Sequence, residues 1–357
     1  MGMAIDGKAG RGRGAIEQVP NRFLSTHYAI EHWEGIDEVD DDPKPTRYLI
    51  ENPRTIINPV NSPDLSFKWS MNPYQGCEHG CSYCYARPTH EYWGYSAGLD
   101  FERVIIVKRN APELLEKALR HPKWQGEPIM LSGNTDCYQP IERKEGITRK
   151  LLETARRFDQ PISMITKNAL VLRDLDILQD MASRNLVSVA ISFTTLNEDL
   201  RRVLEPRTST GLKRLHAMET LTKAGIPVHA MIAPIIPALN EPEVPALLKA
   251  AAEAGAVSAG YTVLRTNGAV KEVFRNWVET HFPDRAAKIL AQGSDLHGGK
   301  MNDSEWGRRM KGSGNFAMNI DRVFKVMRRR YFAGRESPPL DSSRFHRPPE
   351  GQLDLFG

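Results

Sequence analysis

FKWSMNPYQGCEHGCSYCYA, residues 67–86, opens as a short apolar strand and closes as a loop holding three of the chain's four cysteines. Cys77, Cys81 and Cys84 stand at i, i+4 and i+7, a spacing from which loop thiolates converge on one soft metal centre. Beyond the loop a rhythm sets in. Short apolar runs rich in β-branched residues recur at 128–133 (PIMLSG), 161–166 (PISMIT), 186–193 (LVSVAISF), 227–234 (PVHAMIAP) and 259–265 (AGYTVLR). Amphipathic stretches such as ITRKLLETARRF and GLKRLHAMETLTKAG separate them. In Ala224-Gly225-Ile226-Pro227, glycine closes such a helix and proline prevents its continuation. The alternation predicts βα units on a parallel sheet. Near-continuous hydrophobic strands predict a sheet covered on both faces. With the strand at 67–71 there are six, too few for a closed eight-stranded barrel and suited to an open one. Sites in such folds lie at the C-terminal strand ends, where the cysteine loop begins.

Composition sets the limits. At 357 residues and 40% hydrophobic content the chain can build one large domain or two ordinary ones. No window approaches 18 consecutive apolar residues and the N-terminus has no apolar core, so neither a membrane span nor a secretory signal is expected. Four cysteines, three of them clustered, fit a metal site in a reducing compartment rather than a disulfide framework. A cytoplasmic location is expected. Net charge is +4 but uneven: from Lys300 to Arg347, twelve Lys/Arg stand against five Asp/Glu. Such a segment suits a polyanionic partner or is a solvated helix face. The expected organisation is a partly irregular N-terminal arm (1–66), a barrel core (67–266), a basic helical region (267–335) and a flexible tail (336–357).

Two readings of the cysteine loop follow. Structural zinc would need a fourth ligand, His79 or His90, yet such sites usually pair two short hairpins and no second pair exists. A four-iron cluster on three cysteines leaves one iron open, and S-adenosylmethionine can occupy it through its amino and carboxylate groups. Cys77, Cys81, Tyr83 and Cys84 form the pattern C-x3-C-x-aromatic-C, and with it the chain resembles the radical S-adenosylmethionine (radical SAM) superfamily. The resemblance implies an α/β fold, a partial (β/α)6 TIM-like barrel with this chain's arm and basic extension appended. It also implies a [4Fe–4S] cluster on Cys77, Cys81 and Cys84, and a 5′-deoxyadenosyl radical cut from S-adenosylmethionine.

Further along, Ser132-Gly133-Asn134-Thr135-Asp136, Thr166-Lys167, Ser192, Glu205-Pro206 and Ala233-Pro234-Ile235 fall in order at successive strand ends. That order, over roughly Phe67 to Arg265, resembles the spore-photoproduct-lyase group, which repairs a thymine dimer in DNA. The whole chain resembles a bacterial family related to that group and lacking an assigned reaction. The resemblance implies that Tyr83 packs beside the adenine and that Thr135, Lys167, Ser192 and Ala233 contact the cofactor. Tyr83 and Tyr85 become candidate hydrogen relays. The lyase group has a catalytic cysteine two residues before the position of Thr135, where this chain has Gly133. Cys137, four residues on, is then a candidate hydrogen donor or a small buried hydrophobe. Asp136 and Glu142 are candidate caps, and Glu205, Arg207 and Arg265 candidate partners for carboxylate, ribose or phosphate.

The expected function is a radical SAM enzyme acting on DNA in repair, with a flavodoxin- or ferredoxin-type reductant. Alternatives are a radical enzyme for RNA, protein or a small molecule, and a non-catalytic metal-bearing nucleic-acid binder. Gln352, Leu353, Leu355 and Phe356 in the terminal QLDLF resemble the peptide by which bacterial repair enzymes dock on the sliding clamp.

Overall fold

The structure, a computed structural model, describes residues 12–24 and 45–349. Six strands, β1 (Trp69–Met71), β2 (Ile129–Leu131), β3 (Ile162–Thr166), β4 (Val187–Phe193), β5 (Val228–Ile235) and β6 (Ser258–Val263), hydrogen-bond in chain order. Every neighbouring pair among them is parallel, and Asn58–Pro59 adds an antiparallel edge to β1. The connections carry helices α1 (Ala111–Arg120), α2 (Ile147–Arg157), α3 (Leu175–Ser183), α4 (Gly211–Lys223) and α5 (Val244–Glu253). This is the open (β/α)6 barrel expected.

The strands do not read as expected in one respect. Burial alternates along β3 to β6 instead of running continuously. One row (Met164, Val189, Ile191, Val228, Ala230) packs into the main hydrophobic core with the helices. The other (Ser163, Ser188, Ala190, His229, Ser258, Gly260) is small or polar and only partly covered. The physical reason is that six strands leave a lumen their side chains do not fill, so only the helix-facing row must be apolar.

Beyond β6, helices α6 (Val270–His281), α7 (Ala286–Asp295) and α8 (Gly314–Phe332) complete the molecule. Helix α8 buries Ala317, Ile320, Phe324 and Phe332 and exposes Arg328, Arg329 and Arg330. The Phe324 ring sits 4.5 Å from that of Tyr261 on β6. The expectation of a flexible tail from 336 is corrected for 336–349, which passes beneath the N-terminal ends of the strands. The Asp341 amide donates to the Asn185 carbonyl (2.9 Å), the His346 amide to the Phe158 carbonyl (3.1 Å) and the Arg347 guanidinium to the Trp124 carbonyl (2.6 Å). Phe345 lies against Gly126, whose left-handed backbone (φ +72°) has no room for a Cβ. QLDLF lies outside the described residues.

In the arm, residues 12–24 form no regular element, yet Ala15 and Val19 are buried with Ala97 and Val273. The strand Arg47–Ile50 pairs in parallel with Val104–Val107, which also takes Tyr74–Gln75 antiparallel. That small sheet backs the cysteine loop.

Candidate functional site

Two buried ion pairs grip the cysteine loop from opposite sides. On one side Arg87, fully buried, donates to the Cys81 carbonyl through Nε (3.1 Å) and Nη2 (2.9 Å), and to Glu102 Oε1 (2.5 Å). Glu102 also accepts the amides of Gly14 (3.0 Å) and Ala15 (2.8 Å), so the same carboxylate ties the arm to the loop. The approach is close: a Cβ on Gly14 would stand 1.6 Å from the Gly80 carbonyl oxygen. On the other side Glu205, fully buried, accepts from Arg214 (2.5 Å), from Thr194 Oγ1 (2.5 Å) and from the Tyr83 phenol. Burial alone would raise the Glu205 carboxyl, but Arg214, Lys167 and the two hydroxyl donors hold it down to about 2. Below the loop Asp136 accepts from Thr166 Oγ1 (2.8 Å) and the Lys167 amide (2.8 Å), with His79 Nδ1 at 3.3 Å. Burial opposes its ionisation and these partners outweigh it, leaving its pKa lowered. The loop is thereby pinned to the ends of β2 and β3.

Cys77 and Cys81 are buried and Cys84 half-buried. Desolvation pushes all three thiols upward. Buried thiolates therefore need a metal charge to stand against them. Of the two zinc candidates, His79 is held by Asp136 and Asn168, whereas His90, stacked on Tyr95 and packed edge-on against Phe101, has both ring nitrogens buried without a hydrogen-bond partner. Among the described residues no three His, Cys, Asp or Glu side chains meet where one metal ion could sit. The donor set fits a group with several metal atoms, each thiol taking a different one.

Around the lumen mouth, Lys167 Nζ donates to Ser192 Oγ (2.9 Å) and lies 5.9 Å from the centre of the Tyr83 ring. The Thr194 hydroxyl, given chiefly to Glu205, also lies 3.0 Å from the Ala233 carbonyl oxygen. Tyr83, Lys167, Ser192 and Ala233 thus meet in one network running through Thr194 and Glu205. Thr135 stands apart, its hydroxyl donating to the Tyr74 carbonyl (2.7 Å) beneath the β2 turn. That turn is tight. Ser132 adopts φ +77°, strained for a residue with a Cβ, and its hydroxyl donates to the Thr135 carbonyl (2.6 Å) and accepts the Cys137 amide (2.9 Å). Tyr85 reaches back over it, donating to the Gly133 carbonyl (2.6 Å) from a half-exposed position. A Cβ on Gly133 would meet only Met130 and Ser70 at 3.7 Å, so there is room for a side chain.

Cys137 is a correction. It is fully buried in the main core, its amide and carbonyl held by Ser132 and Thr148, and burial drives its thiol up. The sharp turn through Ser132 directs the chain away from the lumen, so Cys137 packs as a small hydrophobe. Sequence reasoning missed Arg87, Glu102 and Arg214. A signal existed for Arg214, which shares the buried face of α4 with Ala217, Met218 and Leu221 at helical spacing. Of the strand-end candidates, Glu142 accepts the Thr148 amide (3.1 Å) and caps α2, while Arg207 donates to the Gly12 carbonyl (3.1 Å).

A family comparison matches residues 71–251 to the Radical SAM superfamily. An uncharacterized protein of Mycobacterium tuberculosis is 33% identical over 238 residues, 66% of this chain and 70% of the relative. One from Methanocaldococcus jannaschii is 33% identical over 187 residues, 52% of this chain and 67% of the relative. Among solved structures, spore photoproduct lyase complexed with dinucleoside spore photoproduct gives a TM-score of 0.59 at 19% identity, covering 80% of each chain. A mutant of that lyase with bound AdoMet and the same dinucleoside gives 0.58 at 18%, covering 80% of this chain and 79% of the other. At such identities the likeness is one of fold.

Proposed function

Because the chain belongs to the radical SAM superfamily, we propose that it is a member acting on DNA, with Cys77, Cys81 and Cys84 holding its cluster. It is an enzyme of that superfamily whose cofactors are a [4Fe–4S] cluster and S-adenosylmethionine. Once bound, these supply radical initiation by reductive cleavage of the sulfonium. The observation that carries the site assignment is three thiols, two buried and one half-buried, on one loop at the C-terminal mouth of an open barrel. Lys167, whose ammonium lies beside Ser192, would take the cofactor carboxylate, with Ser192 and Ala233 contacting the rest of the molecule; Thr135, its hydroxyl given to the Tyr74 carbonyl, would reach it only through its backbone. Tyr83, fixed by Glu205, would support the adenine.

The DNA reading is supported by the barrel's likeness to a lyase solved with a DNA photoproduct. Gly133 and the packed Cys137 leave the phenol of Tyr85 as the candidate to return a hydrogen atom, which argues for chemistry other than the lyase's own. Arg328 and Arg329, with Lys325 and Arg335, line a hollow beside Val257 and Ser258 at the N-terminal end of β6; DNA held there would be gripped at a distance from the chemistry. A flavodoxin- or ferredoxin-type reductant, a cytoplasmic location and clamp docking through Gln352, Leu353, Leu355 and Phe356 complete the proposal. No helix among the described residues is long and apolar enough to cross a membrane. The deciding experiment is anaerobic reconstitution with deuterated S-adenosylmethionine and a panel of DNA and RNA substrates. Deuterium exchanged into a DNA base supports the reading; deuterium only in RNA, or no 5′-deoxyadenosine at all, overturns it.

A further inference from the structure

Three charged residues near strand ends were candidates for anion or ribose binding, and two are occupied. Glu205 is enclosed by Arg214, Thr194 and Tyr83, and Arg207 is bonded to the arm with Glu78 at 3.8 Å. Arg265 differs. It follows β6, half-buried, and its guanidinium makes no hydrogen bond or ion pair among the described residues; Nε is buried with no partner. The carboxylates nearest it are already taken. Asp64 accepts from Arg309 Nε (2.5 Å) and the Gly307 amide (2.6 Å), and Asp303 from Arg308 and the Glu305 amide (2.9 Å). Both lie within electrostatic reach of Arg265, as do Arg309 and the Tyr85 phenol.

We propose that Arg265 anchors a phosphodiester of the nucleic-acid substrate at the open seam of the barrel, between the β1 edge and the segment 303–311. A half-buried guanidinium whose Nε is shut away without a partner leaves a desolvated donor that an anion would complete. The surroundings fit a nucleotide. Trp306, half-exposed on the same segment, carries the Arg309 guanidinium 3.7 Å from one face of its ring, which adds an aromatic side chain and a second cation to this edge. Asn267, two residues after Arg265, donates to the Tyr85 carbonyl (3.4 Å), while its own Oδ1 is buried and unpartnered. A backbone held at Arg265 would thus lie beside Tyr85, the group assigned above to hydrogen return.

This inference rests on the DNA reading. Anionic oxygen is also present in the carboxylate of S-adenosylmethionine, so the test separates the two sources. Binding of a fluorescein-labelled ten-residue oligothymidylate to the full-length protein is read by anisotropy across a salt series, and S-adenosylmethionine binding by calorimetry. Arg265→Gln should weaken the oligonucleotide about tenfold, the worth of one charge-assisted hydrogen-bond set. The log–log salt slope should fall by about 0.7, one phosphate contact on a single strand. Arg265→Lys should recover the slope and part of the affinity, and an unchanged circular-dichroism melt should show both variants folded. Cofactor affinity should not move. Unchanged oligonucleotide affinity in a folded Arg265→Gln overturns the assignment alone. An equal loss of S-adenosylmethionine affinity assigns the arginine to the cofactor and overturns it too. No binding by the wild type overturns the nucleic-acid reading together with this inference.

Discussion

Glu205 shows how a single buried carboxylate can set the geometry of the cysteine loop that it faces. It orients Tyr83 from behind and is itself kept ionised by Arg214. Glu205→Gln leaves that guanidinium buried without its charge and should cost roughly 3–5 kcal/mol in a thermal or urea melt. The sign of its pH dependence is fixed. A carboxyl held at about 2, against 4.5 when unfolded, contributes its full stabilisation above about pH 4.5 and loses it as pH falls through 2. An acid titration followed by circular dichroism should therefore lose stability over that window, and Glu205→Gln combined with Arg214→Met should flatten it. Cys81→Ala should abolish 5′-deoxyadenosine formation and deplete iron, whereas full cofactor cleavage by that variant would sink the cluster assignment. Cys137→Ala should cost about 1–2 kcal/mol and leave cofactor cleavage intact, as befits a core side chain. At this scale the thiols were legible because their spacing is itself the chemistry. Arg87 and Glu102 were not, because a charge reads as surface until the fold brings its partner to it.

Among elements, the six strands could be read directly, since β-branched runs between amphipathic helices have few other solutions. Their inner faces could not: whether Ser163, Ser188 and Gly260 meet a helix or a lumen depends on how many strands close the sheet. Helix α8 was legible as basic, but its placement comes from Ala317, Ile320, Phe324 and Phe332 packing into the main core, with the Phe324 ring against Tyr261. The strap beneath the strands gave no periodic signal because its bonds go to carbonyls of distant loops. If Arg328 and Arg329 grip duplex DNA, replacing both with Gln should reduce the log–log salt slope of binding by roughly 1–2 units. Barrel chemistry on a short dinucleotide should be unaffected. A salt-independent affinity would return this face to an ordinary solvated one.

On the scale of the whole molecule, two of the proposed grips, the lumen mouth and the outer face of α8, lie apart, and the third is the terminal peptide. The terminal residues should be separable from the rest. Deleting 352–357 should preserve fold, iron content and cofactor cleavage while abolishing binding to a purified bacterial sliding clamp. A deletion variant that still binds the clamp contradicts the docking proposal. Tethering of this kind acts through effective concentration, so its effect should appear on replicating DNA and vanish on free oligonucleotides.

The contact of Gly14 with Gly80 has a bearing on biogenesis. With Glu102 holding the arm's amides and no space for even a methyl group between the two backbones, residues 12–24 close over the loop like a latch. The arm closes on the backbone at Gly80 and Ser82, which flank Cys81, and we predict that metal insertion precedes this closure. Protease cleavage within 12–24 should then be fast in the freshly made apoprotein and slow after loading, and Gly14→Ala should leave the loaded protein as easily cut as the apoprotein.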